Sequence, residues 1–271
     1  MNLSPIVIFV YNRPWHTQKT IEALKNNELA SESELFIYAD NAKNNKIDKQ
    51  VLTVRKYIKK IDGFKKVTIV EREKNFGLAD SIIEGVSQIV KKYGRVIVLE
   101  DDLVTSPFFL RYMNDALVLY KNEETVMHIS GYIYPIDNKY LNDTFFIKPD
   151  TCWGWATWDR AWVYFKKDTK YYLSIFDKKM IKEFNLNNSF DYFSQIKQNG
   201  KGKINTWAIF WYASIFLRNG LSLHPSKSFV SNIGHDGLGT HCNKSDFFDV
   251  PLIEKYPISF VKDIKEDMEA R

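Results

Sequence analysis

The sequence predicts an α/β fold with a doubly wound, mostly parallel sheet and an aromatic-rich C-terminal region. Four short apolar runs recur early: "IVIFVY" at 6–11, "ELFIYAD" at 34–40, "KVTIVER" at 66–72 and "RVIVLED" at 95–101. Between them lie helical stretches at about 16–27, 46–60 and 78–92. Strands alternating with helices imply a parallel sheet with helices on its faces. The run Val96-Ile97-Val98-Leu99 is continuous and β-branched in three of four places, as expected for a strand covered on both sides.

In order along the chain, the first strand ends at Asn12-Arg13-Pro14, and "MNLSPIVIFVYNRP" has no basic leader, so it reads as a strand and not a signal peptide. The second ends at Asp40-Asn41, the third runs into "REKNFGLADS" at 72–81, and the fourth runs into Glu100-Asp101-Asp102. Ser106-Pro107 supplies an N-cap and a first-turn proline for a helix reaching about Tyr120. "TVMHISGY" then returns to the sheet. From about residue 130 regularity fades: "CWGWATWDRAW" at 152–162 is densely aromatic, helices are expected at 177–198 and 205–218, and "NIGHDGLGTHCNKSDFF" reads as a loop folded over something. Without repeats or low-complexity linkers, residues 1–271 read as a single domain, with a nucleotide-binding half at 1–125 and an acceptor-facing half with the C-terminal loop at 126–271.

Composition narrows the function. Aromatic residues at 15% rule out disorder and favour stacking on flat rings and sugar faces. Cys152 and Cys242 form neither a disulfide framework nor a zinc pair, which fits a reducing cytoplasm. No apolar run approaches the roughly 20 residues that span a bilayer. A net charge of +5 favours an anionic ligand or peripheral contact with an anionic membrane at its inner face, for which Lys197, Lys201 and Lys203 are candidates. No nucleic-acid motif stands out. Walker, GxGxxG and GxSxG patterns are missing after the strands, which weighs against ATPase, dinucleotide and hydrolase readings.

Ligands of open α/β sheets bind at the C-terminal strand edge. There the sequence gathers Arg13, Asp40, the Asn75–Gly77 loop and the Glu100-Asp101-Asp102 triplet. Such a set suits an anionic ligand held with Mg²⁺ or Mn²⁺, since hard oxygen donors match those cations.

The series "FVYNRP", "TIEAL", "YADN", "REKNFGLADSI", "VIVLEDDLVTSPFFLRYMNDAL" and "CWGWATWDRAW" resembles GT-A glycosyltransferases, bacterial family 2-like enzymes related to the N-acetylglucosaminyltransferase I type. The similarity runs from about residue 5 to 242, and "LEDDL" is its most specific part. It implies a metal-dependent transfer from a nucleotide-sugar donor, a UDP-sugar, to a glycan or lipid-linked saccharide acceptor in bacterial surface polysaccharide synthesis, with inversion. Carried over, Asp102 would contact the metal, Asp101 would lie near ribose and metal, and Glu100 near the donor sugar. Arg13 and Asp40 would hold the base and ribose, with Asn75 and Gly77 beside them. His235 or His241 would complete the metal site, and Trp153 and Trp155 would floor the acceptor site, whereas Trp158, Trp162, Trp207 and Trp211 suit the core. Where the animal enzymes place an acid pair before a tryptophan, this chain reads "INTWAIFW" at 204–211. The general base is then sought at Asp236 or Asp159. Alternatives are a catalytically inactive GT-A-like carbohydrate- or nucleotide-binding protein and a nucleotidyltransferase, though "YNRPWHT" lacks the glycine-rich loop of the latter.

Overall fold

The computed structural model describes residues 2–43, 48–237 and 245–271. Strand β1 (Ile6–Val10) lies between β2 (Glu34–Ala39) and β4 (Arg95–Glu100), with β3 (Lys66–Glu71) outside β2; all four run parallel. They are joined by α1 (Pro14–Lys25), α2 (Lys49–Ile58) and α3 (Leu78–Tyr93). Helix α1 starts earlier than its apolar pattern suggests because Pro14 sits at the first helical positions, where its fixed φ costs nothing. Alternate residues of β1 feed opposite cores. Ile6, Ile8 and Val10 join Ile21, Leu24 and Leu110 on one face, while Val7 and Phe9 join Ile82, Val86 and Ile89 on the other.

A short strand, β5 (Leu103–Thr105), separates the acid triplet from α4 (Phe109–Leu119), so the acids do not cap that helix. Ser106 forms the turn ahead of it, its Oγ accepting from the Phe108 N–H at 3.3 Å. The sheet continues through β6 (Val126–Ser130), β7 (Thr144–Ile147), β8 (Trp155–Trp158) and β9 (Leu221–Pro225) in the order β3-β2-β1-β4-β8-β6-β9-β7. Here it becomes mixed: β8 is antiparallel to both β4 and β6, and β7 to β9.

A helical lobe comprises α5 (Asp159–Trp162), α6 (Thr169–Ile175), α7 (Lys178–Phe184), α8 (Tyr192–Gly200) and α9 (Ala208–Leu217). The single helix expected at 177–198 is two. Leu186, Asn187 and Asn188 take left-handed backbone angles that end α7, and Asp191 caps α8 by accepting from the Ser194 N–H. Last, β10 (Val230–Asn232) pairs antiparallel with β5 and carries the following residues back to the acid triplet. Among the described residues no helix is long and apolar enough to cross a membrane.

Two sequence expectations are corrected by this topology. Trp155 is fully buried and stacks on Trp207 at 5.1 Å, because β8 is an interior strand with both faces covered, so it cannot floor an acceptor site. Asp159 follows the end of β8, where Trp158 pairs with Arg95 at the start of β4. That edge lies a whole strand length, roughly 17 Å, from the acid triplet, and Asp159 is no candidate base. Trp158, Trp162, Trp207 and Trp211 are core residues, as expected.

Candidate active site

A cavity of about 370 Å³ opens where β1, β2 and β4 end, lined among others by Arg13, Asp40, Asn75, Gly77, the acid triplet and Trp153. The strand ends bring these together because β1, β2 and β4 are parallel. Trp153 joins them because β8 runs the other way, placing the residues before its start on the same rim. It is half-buried and packs edge-on to Tyr132 at 4.5 Å.

Arg13, the last residue before α1, is the electrostatic centre of one wall. Its Nη1 donates to Asp102 Oδ2 at 2.7 Å and its Nη2 to Asp236 Oδ1 at 3.2 Å. His16 Nε2, one helical turn on, lies 2.6 Å from Arg13 Nη2 and 2.9 Å from Asp236 Oδ2. Burial first, then Arg13, lowers the His16 pKa, which keeps the ring neutral. Asp236 is thus a partner of Arg13 and His16, and both its oxygens are engaged. Thr20, on the same face of α1, donates to the Asp101 carbonyl at 3.0 Å.

Asp40 has a different task from the one the resemblance implied. Its Oδ1 accepts from the N–H groups of Asn41 and Phe76 at 2.9 and 2.8 Å. Its Oδ2 accepts from the Gly77 N–H at 2.9 Å and Asn75 Nδ2 at 3.0 Å. Four donors saturate a carboxylate, leaving none of its lone pairs for a uracil N–H. Asp40 therefore staples the Asn75–Gly77 loop to the end of β2. Gly77, at φ +74°, begins α3 in a conformation that favours glycine.

The acid triplet carries more negative charge than its surroundings offset. Burial, then Asp102 and Asp101, pushes the Glu100 carboxyl well above its ordinary range. Asp101 is raised to about 7, by burial first and Asp102 second, with Arg13 and the Tyr11 N–H opposing. Asp102 is also raised by burial, with Arg13 holding it back. Arg13 offsets part of the charge on Asp101 and Asp102 and none of that on Glu100, a deficit of positive charge that a divalent cation would make good. The donor set is all oxygen, which fits Mg²⁺ or Mn²⁺. Among the described residues no group of three or more His, Cys, Asp or Glu converges on one point, so such a cation would take one or two protein ligands and complete its shell with phosphate and water.

His235 lies between Gly234 and Asp236, which both accept from Arg13 Nη2. Its ring packs against Phe248 at 4.8 Å and Trp153 at 5.3 Å, with Nε2 buried and lacking a hydrogen-bond partner among the described residues. His241 and Cys242 lie outside the described residues. Three contributors escaped the sequence reading: His16, Asn205 and Gly234. The Arg13/His16/Thr20 spacing on α1 was an available signal. Gly234 gave none, yet a Cβ there would stand 2.1 Å from Asp102 Oδ2, so only glycine lets the segment after β10 close over the acid.

The sequence model of the GNT-I family matches residues 1–145, over half of the 271 residues. No curated protein matches the chain. Among solved structures, similarity is found to the mannosyltransferase PcManGT from Pyrobaculum calidifontis in complex with GDP-Man and Mn²⁺, at 14% identity and TM-score 0.39, covering 57% of this chain and 44% of that one. It is found also to S. aureus TarS 1–349, at 11% identity and TM-score 0.46, covering 83% and 59%, and to the same fragment with UDP-GlcNAc, at 14% identity and TM-score 0.34, covering 49% and 35%. This chain thus spans less than two thirds of each. At those TM-scores the assignment rests on the sequence match, whose segment supplies Arg13, Asp40, the Asn75–Gly77 loop and the acid triplet of the strand-end site. The chain belongs to the GNT-I family.

Proposed function

We propose that this protein transfers a sugar from a nucleotide-sugar donor, a UDP-sugar, to a hydroxyl of a glycan or lipid-linked saccharide in bacterial surface polysaccharide synthesis, with inversion at the anomeric carbon. The observation that carries the reading is the strand-end cavity in which Glu100, Asp101 and Asp102 face a deficit of positive charge. Its volume of about 370 Å³ lies in the range of small-molecule sites.

Asp102, with Asp101 beside it, would hold Mn²⁺ or Mg²⁺ against the donor diphosphate. The cation would supply charge stabilisation as the diphosphate leaves. Arg13 keeps Asp102 aimed and contributes positive charge to the same wall. Glu100, whose carboxyl has no hydrogen-bond or ion-pair partner among the described residues, would accept from donor sugar hydroxyls. The Asn75–Gly77 loop, stapled by Asp40, shapes the nucleotide end. Trp153 offers an aromatic face where the cavity meets the acceptor side. Lys197 and Lys201, with Lys167 and Lys170, line a groove by α6 and α8, and we assign peripheral contact with an anionic inner membrane face to it.

The test is nucleotide release from a panel of UDP- and GDP-sugars with Mn²⁺. The wild type releases nucleotide from one donor family, and Asp102→Asn lowers the rate at least about 100-fold, as expected for a lost charge stabiliser. Equal rates in the two proteins would overturn the proposal. An inactive binding protein would instead bind the donor without releasing nucleotide, a reading admitted by the lack of a carboxylate in "INTWAIFW" at 204–211.

A further inference from the structure

Sugar transfer needs a group that takes the acceptor's proton on the side away from the departing diphosphate. In the reading above Asp101 and Asp102 hold the cation and Glu100 meets the donor sugar, Asp236 is engaged by Arg13 and His16, and Asp159 is at the opposite sheet edge. We propose that Asp150 is this general base. The inference rests on the sugar-transfer reading.

Asp150 lies between β7 and β8 in a segment held on both sides by buried histidines. His224 Nε2 is 3.0 Å from the Pro149 carbonyl and His128 Nε2 is 3.1 Å from the Thr151 carbonyl. Trp211 donates its indole N–H to His128 Nδ1 at 3.1 Å, which leaves the His128 proton on Nε2, pointing at Thr151. Burial lowers the two histidines to about 3 and about 4, so both remain neutral and the clamp stays set near neutral pH.

Within this fixed segment, Asp150 Oδ2 is buried with no hydrogen-bond partner among the described residues. An orphaned carboxylate oxygen costs stability and calls for a reason. The groups that feel its charge include Tyr134, Tyr192, Tyr212 and Cys152, and among the described residues no cation offsets it. Burial raises its carboxyl to about 7, where a base is both ionised and strong enough at neutral pH.

Asp150 stands behind the cavity wall and is not itself one of the residues that line it. Trp153, three residues on, lines the cavity, within about 11 Å of chain from Asp150. The Cys152 thiol is pushed up by burial and then by both Glu100 and Asp150, so it neighbours the donor acids and Asp150 alike. Around it, Trp153, Tyr134 and Phe248 form an aromatic surface, with ring centroids 5.5 to 6.4 Å apart. Sugar faces stack on such surfaces. An acceptor lying there would present a hydroxyl between Asp150 and the anomeric carbon. Asp150 takes the hydroxyl proton, the oxygen forms the new bond to the anomeric carbon, and the bond to the diphosphate breaks with its electron pair leaving on the nucleotide.

Azide tests this without knowledge of the acceptor, since it attacks as an anion and needs no deprotonation. With UDP-GlcNAc and GDP-mannose as donors and Mn²⁺ present, Asp150→Asn and Asp150→Ala should release nucleotide at least about 100-fold more slowly than wild type. Their thermal stabilisation by UDP or GDP with Mn²⁺ should be unchanged. Sodium azide should restore release in Asp150→Ala, with a glycosyl azide as product, and should not do so in Asp102→Asn. Asp150→Asn is isosteric and removes a buried charge, so it should melt no lower than wild type. Release by Asp150→Asn within about threefold of wild type, or no azide rescue, would overturn the assignment while leaving the donor site standing. A wild type that binds no nucleotide and releases none would overturn the sugar-transfer reading and the base with it.

Discussion

The first 105 residues and the remainder build opposite walls of one site by different means. In the first part every contributor to the cavity sits at a strand end or on the helix that follows, within a few residues of an apolar run. In the second part the contributors are delivered from a distance: β8 reverses direction to present Trp153, His128 and His224 pin the Asp150 segment, and β10 returns Gly234 to Asp102. A donor wall can therefore be built from local rules, whereas the opposite wall depends on long-range packing.

The histidine clamp and Glu100 carry opposite pH signatures, which gives the largest expected effect. His128 and His224 have folded-state pKa values below their unfolded ones, so the unfolded chain binds more protons and their contribution is lost as pH falls below about 6.5. For His224, held at about 4, this is worth up to about 3 kcal/mol. Glu100 is raised instead, so the folded chain binds the extra proton and stability declines as pH rises above its unfolded value. Urea unfolding in a chelator should show Glu100→Gln gaining on wild type at pH 8 but not at pH 4.5. His224→Gln should lose at pH 8 and lose less at pH 4.5. Parallel pH profiles for all three proteins would erase the distinction.

A smaller effect, about 10- to 100-fold in turnover or roughly 1.4 to 2.7 kcal/mol, is expected from Gly234→Ala, whose methyl group must displace the Asp102 carboxylate. Its metal-dependent nucleotide affinity should fall in step; kinetics matching wild type would show that the segment after β10 does not bear on Asp102. Next, Asp40→Asn exchanges an acceptor for a donor facing the Gly77 N–H. The cost should be about 1–3 kcal/mol of stability, read by urea unfolding, with nucleotide affinity weakened and affinity for the acceptor side untouched. Least affected should be a variant with Lys197, Lys201 and Lys203 made neutral. Its stability should stay within about 0.5 kcal/mol, and only sedimentation with anionic liposomes should decline; undiminished sedimentation would remove the membrane assignment.

The legibility of the sequence follows the same divide. Continuous β-branched runs and their alternation with helices placed β1 to β4 to within a residue or so, because a strand covered on both faces leaves a local signature. Arg13, Asp40 and the acid triplet were found at the strand ends for that reason. Asp40's actual task was not visible, since three of its four donors come from a loop some 35 residues away. Trp153 and Trp155 could not be told apart in "CWGWATW" until β8 was seen to be an interior strand. Asp150 carries no local signal: nothing near it in sequence announces that two histidines, 22 residues before and 74 after it, fix the backbone on either side of it.

The central claim, that the strand-end acids hold a cation and a nucleotide together, is tested most directly by calorimetric titration of UDP and GDP into wild type and Asp102→Asn, each with and without Mn²⁺. The account predicts that one nucleotide binds the wild type only when Mn²⁺ is present and that Asp102→Asn abolishes the metal dependence. Binding that ignores both the cation and the substitution, or no binding of either nucleotide, would contradict it.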